Sequence, residues 1–246
     1  MIKNIINTFF FRSLNAILSL AIVIITARYL GAEIRGEISL FVLNATLVFQ
    51  IVSIVSGGGL VYYASKRPIT SLVFSSVIWS LLASLIGTSI LYFTGFVTMS
   101  ASLYLIIATL LLSWFYIGMN LIVGFEWIKT YNLISSLQMI LMTALLLVFI
   151  WFHYFESFDA WYFAYAISFT FAILLLKVLI IKKLNWEKIT FKAADFLLLF
   201  NYGKWAQLAN IAQLLNYRLG YYLLEYFAGK QALGVYSSAV AIAENA

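Results

Sequence analysis

Seven times along this chain an apolar run continues for close to the length an α-helix needs to cross a bilayer, about 20 residues for roughly 30 Å of hydrocarbon. The runs cover residues 5–27, 38–55, 72–93, 103–123, 133–152, 160–181 and 205–224. An eighth opens near Leu233, and only about 14 residues of it precede Ala246, too few to span. The runs are continuous, whereas strands of a membrane barrel alternate apolar and polar residues, and the chain holds a single proline. The expected fold is all-α: a polytopic transmembrane bundle of about seven full helices and a truncated eighth. Composition narrows the function classes further. Hydrophobic residues make up 64% of the chain and charged ones 10%, where a soluble domain carries about 25% charge. An ordinary soluble enzyme, a disordered chain and a nucleic-acid-binding module are all excluded.

The chain has 15 Lys and Arg against 9 Asp and Glu. Between membrane spans such an excess points to positive cytoplasmic loops rather than to nucleic acid. With the N-terminus inside, the inner segments hold Lys3, Lys66, Arg67, Lys129, Lys182, Lys183, Lys188, Lys192 and Lys204, and the outer loops only Arg28, Arg35 and Lys230. A cytoplasmic N-terminus follows, with outer loops near Gly31, Phe96, Glu156 and Gly229. The longest polar stretch is basic with interleaved apolar residues and reads as an amphipathic helix on the inner leaflet. Three regions are expected: a six-helix lobe over 1–182, a cytoplasmic linker over 183–204, and the start of a second lobe over 205–246. No loop has room for a soluble catalytic domain, so the chain does not read as an enzyme. Cysteine is absent and His153 is the one histidine, which leaves no thiol chemistry and no histidine-rich metal site. No metal and no other cofactor is expected. The first run contains Arg12 and does not end in small residues, so it is no cleavable signal peptide.

An internal repeat organises the spans. After the first run comes Tyr29-Leu30-Gly31-Ala32-Glu33-Ile34-Arg35-Gly36-Glu37-Ile38-Ser39, and after the seventh comes Tyr226-Phe227-Ala228-Gly229-Lys230-Gln231-Ala232-Leu233-Gly234-Val235-Tyr236-Ser237. Gly31 maps to Gly229 and Gly36 to Gly234, each with a serine three residues after the second glycine. All four glycines are expected in tight outer turns, where unusual backbone angles favour them. Six helices separate the copies, so both cross in the same direction. Parallel repeats about an axis along the membrane normal are common in transporters, with the substrate between the halves.

The segments ARYLGAEIRGEISLF, SGGGLVYYASK and LLNYRLGYYLLEYFAGKQALGVYSSAVAIAE resemble the Wzx-type polysaccharide flippases of the multidrug/oligosaccharidyl-lipid/polysaccharide exporter superfamily. The two glycine turns and Gly234-Val235-Tyr236 are the most specific parts. The resemblance covers the whole chain. It implies the N-terminal lobe and the opening of the second lobe of a two-lobe transporter, so that the chain reads as a fragment. It also implies an O-antigen or related polysaccharide substrate linked to polyprenyl pyrophosphate, a bacterial inner membrane, and other polysaccharide-assembly membrane proteins as partners.

Polar residues within spans usually face a cavity. The residues between Arg12 and Arg28 reach about 22 Å along a helix, which puts Arg12 inside the hydrocarbon near the cytoplasmic side. Thr8, Arg12, Asn15, Ser19 and Thr26 fall within a sector of about 60°. The alternative for Arg12 is snorkelling to the inner headgroups. On the seventh run Gln207, Asn210, Arg218 and Tyr221 share a sector of about 80°, and Arg218 either faces the cavity or pairs with an unseen helix. Asn44 and Gln50 read as interhelical hydrogen-bond partners. Guanidinium groups in a membrane suit an anionic ligand. Arg12, Asn15, Gln207, Asn210 and Arg218 are therefore the candidate substrate-binding residues, with Gly31, Gly36, Gly229 and Gly234 as structural turns. The leading function is alternating-access flipping of a lipid-linked oligosaccharide. The alternatives are a membrane glycosyltransferase, ligase or polymerase acting on such lipids, and a non-transporting membrane protein.

Overall fold

A computed structural model describes residues 2–155, 157–183 and 191–245. Among these residues the chain is a series of helices without strands: α1 (Ile2–Ile25), a π-helical turn (Thr26–Leu30), α2 (Ala32–Ser56), α3 (Gly58–Tyr63), α4 (Ile69–Phe93), α5 (Met99–Gly124), α6 (Ile128–Trp151), α7 (Ser157–Lys183) and α8 (Ala193–Asn245). Among the described residues six segments are long and apolar enough to cross a membrane: Ile6–Leu30, Ala32–Tyr63, Ile69–Phe93, Met99–Gly124, Ile128–Trp151 and Phe158–Ile181. The chain is thus a multi-pass all-α membrane protein. The expected seventh span, 205–224, is helical but lies inside the 53-residue α8 and is not among the six. Gln207, Asn210, Gln213, Asn216 and Arg218 dilute its hydropathy.

Element boundaries depart from the expected runs where backbone chemistry overrides hydropathy. The second helix starts at Ala32 rather than at residue 38, because Gly31 turns the chain and Glu33 then suits the positive end of the new helix. Arg35, expected in a loop, consequently stands within α2. Gly57 breaks that helix before its polar end, giving the short α3. Of the expected linker, 184–190 lies outside the described residues, as does Glu156. Residues 193–204 belong to α8 and continue unbroken into its later turns.

The chain divides into two compact units. The first comprises Met1–Leu43, Asn132–Ala172 and Asn216–Ala246. Lipid offers no hydrophobic force between helices, so small residues and interhelical hydrogen bonds must hold them. Asn15 on α1 donates to Ser135 Oγ (3.1 Å) and accepts from Ser136 Oγ (2.8 Å) on α6, while Asn132 Nδ2 donates to Thr8 Oγ1 at 3.0 Å. Gln138 of α6 reaches Ser168 of α7 at 3.2 Å. Phe41 of α2 packs edge-on against Phe158, Trp161 and Tyr162 of α7.

The second unit comprises Asn44–Tyr131 and Ile173–Leu215. Its α4 buries Ser71, Ser75, Ser76, Ser80, Ser84, Gly87 and Thr88, a small-residue face that admits close neighbours. Gly87 receives Val48 of α2, and Trp114 of α5 donates to Ser80 Oγ at 3.2 Å. Gly118 of α5 receives Leu176 of α7. Asn44 Nδ2 points to the Phe96 carbonyl at 3.5 Å. Phe196 and Phe200 at the start of α8 pack on Trp79 of α4, whose indole donates to the Ile51 carbonyl at 3.0 Å. Large apolar side chains such as Phe93, Met99 and Trp151 point outward, as a lipid-facing surface requires.

Candidate functional site

The two copies of the repeat meet each other. Gly31 (φ 89, ψ 164) and Gly229 (φ 81, ψ 172) share one backbone conformation, in a region essentially reserved for glycine. The 198-residue offset thus holds at the level of dihedral angles. Gly31 separates the first two spans, and Gly229 bends α8 into two helical arms. Gly36 and Gly234, expected in the turns, instead stand one turn inside the following helices. A Cβ on Gly36 would strike the Lys230 carbonyl, and one on Gly234 would strike the Ala32 carbonyl. Ala32 and Lys230 are themselves equivalent positions of the repeat. Ser39 Oγ and Ser237 Oγ, equivalent again, lie 2.8 Å apart. Each copy therefore offers the other the same surface, which is the signature of a two-fold contact. Glycine serves here for close approach, so that Cα–H groups face carbonyl oxygens across the seam.

Beside this seam the first unit carries a cluster of charge. Arg218 donates to Glu244 through two hydrogen bonds of 2.8 and 2.6 Å and to the Tyr221 hydroxyl at 2.7 Å. Its side chain is 23% exposed and that of Glu244 is 52% exposed. Arg218 therefore has a counter-ion on the second arm of α8, with Nη2 donating to both carboxylate oxygens and Nη1 to Tyr221. Sequence spacing alone does not bring Arg218 to Glu244, 26 residues further on. Bending the helix at Gly229 would have found it, since that bend lays the two arms side by side. Arg35 stands in the first turns of α2, and its Nε is buried without a hydrogen-bond partner. Lys230 pairs with Glu37 at 3.5 Å.

The other sequence candidates fall into two environments. Arg12 is exposed on α1 next to the exposed Phe9 and Phe10. Asn15 uses its whole amide to tie α1 to α6, and Thr8 is joined to Asn132, so two members of the expected polar stripe are interhelical ties. Thr26 bonds back to the carbonyls of Ile22 and Val23. Gln207 is buried in the second unit, over Gly57, and accepts from Asn210 Nδ2 at 3.0 Å. It sits where the chain breaks between α2 and α3. The Ser56 carbonyl freed by that break accepts from Asn120 Nδ2 of α5 at 2.7 Å, and Gly203 of α8 closely faces the Ile54 carbonyl. Asn120 was not among the sequence candidates, because only the break at Gly57 gives its amide a task. Arg12, Asn15 and Arg218 belong to the first unit, and Gln207 and Asn210 to the second. Among the described residues no three His, Asp or Glu side chains come together as metal ligands.

No protein-family model matches this chain, and no curated protein matches it. A solved structure named protein A is similar over 99% of this chain, with a TM-score of 0.81 at 12% sequence identity. At that identity the likeness shows a shared fold alone. The chain spans 60% of the length of protein A.

Proposed function

We propose that this chain forms the N-terminal lobe and the opening of the second lobe of a flippase for polyprenyl-pyrophosphate-linked oligosaccharide in the bacterial inner membrane. The observation that carries this reading is the reciprocal seam at Gly36, Gly234, Ser39 and Ser237. A two-fold contact between parallel repeats is the architecture of an alternating-access transporter, in which the halves rock about a central substrate path. Membrane guanidinium groups at Arg12, Arg35 and Arg218 favour an anionic headgroup over a cationic drug. The basic-loop asymmetry supports a cytoplasmic N-terminus and an outward-facing seam.

Two measurements test it. In proteoliposomes of a complete two-lobe protein that carries this chain, a fluorescent polyprenyl-pyrophosphate oligosaccharide should become accessible to an impermeant lectin with time. Accessibility unchanged from protein-free vesicles, with folded protein present, overturns the reading. For orientation, Phe96→Cys should react with an impermeant thiol reagent in intact cells and Lys66→Cys should not. The reverse pattern inverts the topology.

A further inference from the structure

We infer that Tyr62, Lys66, Tyr202 and Lys204 form a docking site for the headgroup of an anionic phospholipid, at the membrane boundary between the second and third spans. The place follows from the spans: Ala32–Tyr63 ends and Ile69–Phe93 begins on either side of a short turn that carries Lys66 and Arg67. The first turns of α8 meet the same boundary. Tyr62 stacks on Tyr202 with ring centres 5.5 Å apart and planes 16° apart, and Tyr63 packs edge-on against Tyr202. Gly58 and Gly59 leave room for the Tyr202 ring, which a Cβ on either would meet at 3.7 and 3.5 Å.

Charge defines the occupant. The Lys66 ammonium stands 3.4 Å from the centre of the Tyr62 ring. Lys204 folds back to donate to Asn201 Oδ1 at 2.9 Å, next to Tyr202 in the chain. Among the described residues no carboxylate pairs with either lysine. The acid that reaches this turn is Asp195, which is buried and lies 4.0 Å from Arg67, so its charge offsets the arginine. Two positive charges are left beside exposed tyrosines. A belt of interfacial aromatic rings accounts for the tyrosines by their polar tips alone, but not for unpaired lysines held against them. An ammonium over a ring keeps donors to spare, and a phosphodiester supplies both the acceptors and the missing negative charge. With the N-terminus cytoplasmic the site faces the inner leaflet; that detail rests on the proposed orientation, and the site itself on geometry.

Binding of phosphatidylglycerol to the purified chain in neutral detergent, measured by native mass spectrometry beside phosphatidylcholine and geranylgeranyl pyrophosphate, tests this. Phosphatidylglycerol should bind more tightly than phosphatidylcholine. Lys66→Gln and Lys204→Gln should each weaken it by about fivefold, the worth of one basic residue at an anionic surface. Lys66→Arg keeps the charge and should keep the binding, which separates lost charge from lost fold. Lys129→Gln removes an equal charge from the exposed start of α6 and should leave binding unchanged. The inference falls if the two phospholipids bind alike, or if either glutamine variant at the site binds like the parent. It also falls if Lys66→Arg loses as much as Lys66→Gln, or if Lys129→Gln costs as much as either. If the pyrophosphate binds more tightly than phosphatidylglycerol with the same responses, the patch belongs to a substrate path and the phospholipid assignment fails. No translocation is measured, so each of the other failures leaves the flippase reading standing.

Discussion

Gly31 and Gly229 owe their identity to backbone conformation alone, since a Cβ at either position would meet nothing within 4 Å. Their φ values of 89 and 81 fall where L-residues are strained, at a cost of about 1–3 kcal/mol. Gly31→Ala or Gly229→Ala should therefore lower the thermal unfolding midpoint in detergent. Gly220→Ala provides the contrast, because that glycine lies within α8 with equally open space and no positive φ. There alanine should stabilise, by up to about 1 kcal/mol. Equal responses at all three positions would remove the conformational argument. Arg12 poses a different question at the same scale. It is exposed on α1, so removing it leaves no buried partner behind. If it captures the pyrophosphate on loading, Arg12→Ala should slow translocation strongly at unchanged membrane abundance, and Arg12→Lys should keep more activity, as a charge without the planar fork. Normal flipping by the alanine variant would leave Arg12 a snorkelling residue.

The break between α2 and α3 shows how an element end is held inside a membrane. Gly57 interrupts the helix, and Asn120 takes the Ser56 carbonyl that the break frees. Asn120→Ala leaves that carbonyl unmet in an apolar setting, at about 1–3 kcal/mol. Hydrogen exchange should accelerate at residues 57–63 in this variant while α4 and α5 keep their protection; uniform acceleration would mean that Asn120 serves the whole bundle. Six of the seven expected spans were legible in the sequence because a bilayer imposes both the length of each run and its helical state. The turns at Gly31 and Gly229 were legible too, through the constant offset. Gly36, Gly234 and Arg35 were misplaced because spacing cannot say where a turn ends. A glycine conformation that lets the next helix start at once puts all three inside helices. Asn15 shows the limit for polar stripes, since a helix face toward α6 and a helix face toward water carry the same residue types.

At the scale of the whole molecule, the repeat predicts which contact must move. If the proposed flipping of a bulky glycan holds, the seam between the two copies must part for the glycan to cross. Backbone faces backbone at Gly36 and Gly234, and Cα–H···O contacts are worth only about 0.5–1 kcal/mol each. One Ser39–Ser237 hydrogen bond, 2.8 Å long, and the half-exposed Glu37–Lys230 pair at 3.5 Å span the same line. The natural chain has no cysteine, so Ser39→Cys with Ser237→Cys introduces a pair that can react only with itself. Its two side chains start from positions already in contact, and a disulfide needs Cβ atoms about 3.5–4.5 Å apart. Oxidation should cross-link the pair and stop translocation, and a reductant should restore it. Either single cysteine variant should remain active throughout. A cross-linked protein that still flips substrate at the reduced rate would show that the seam is a fixed axis rather than a gate, and the path would then have to open elsewhere.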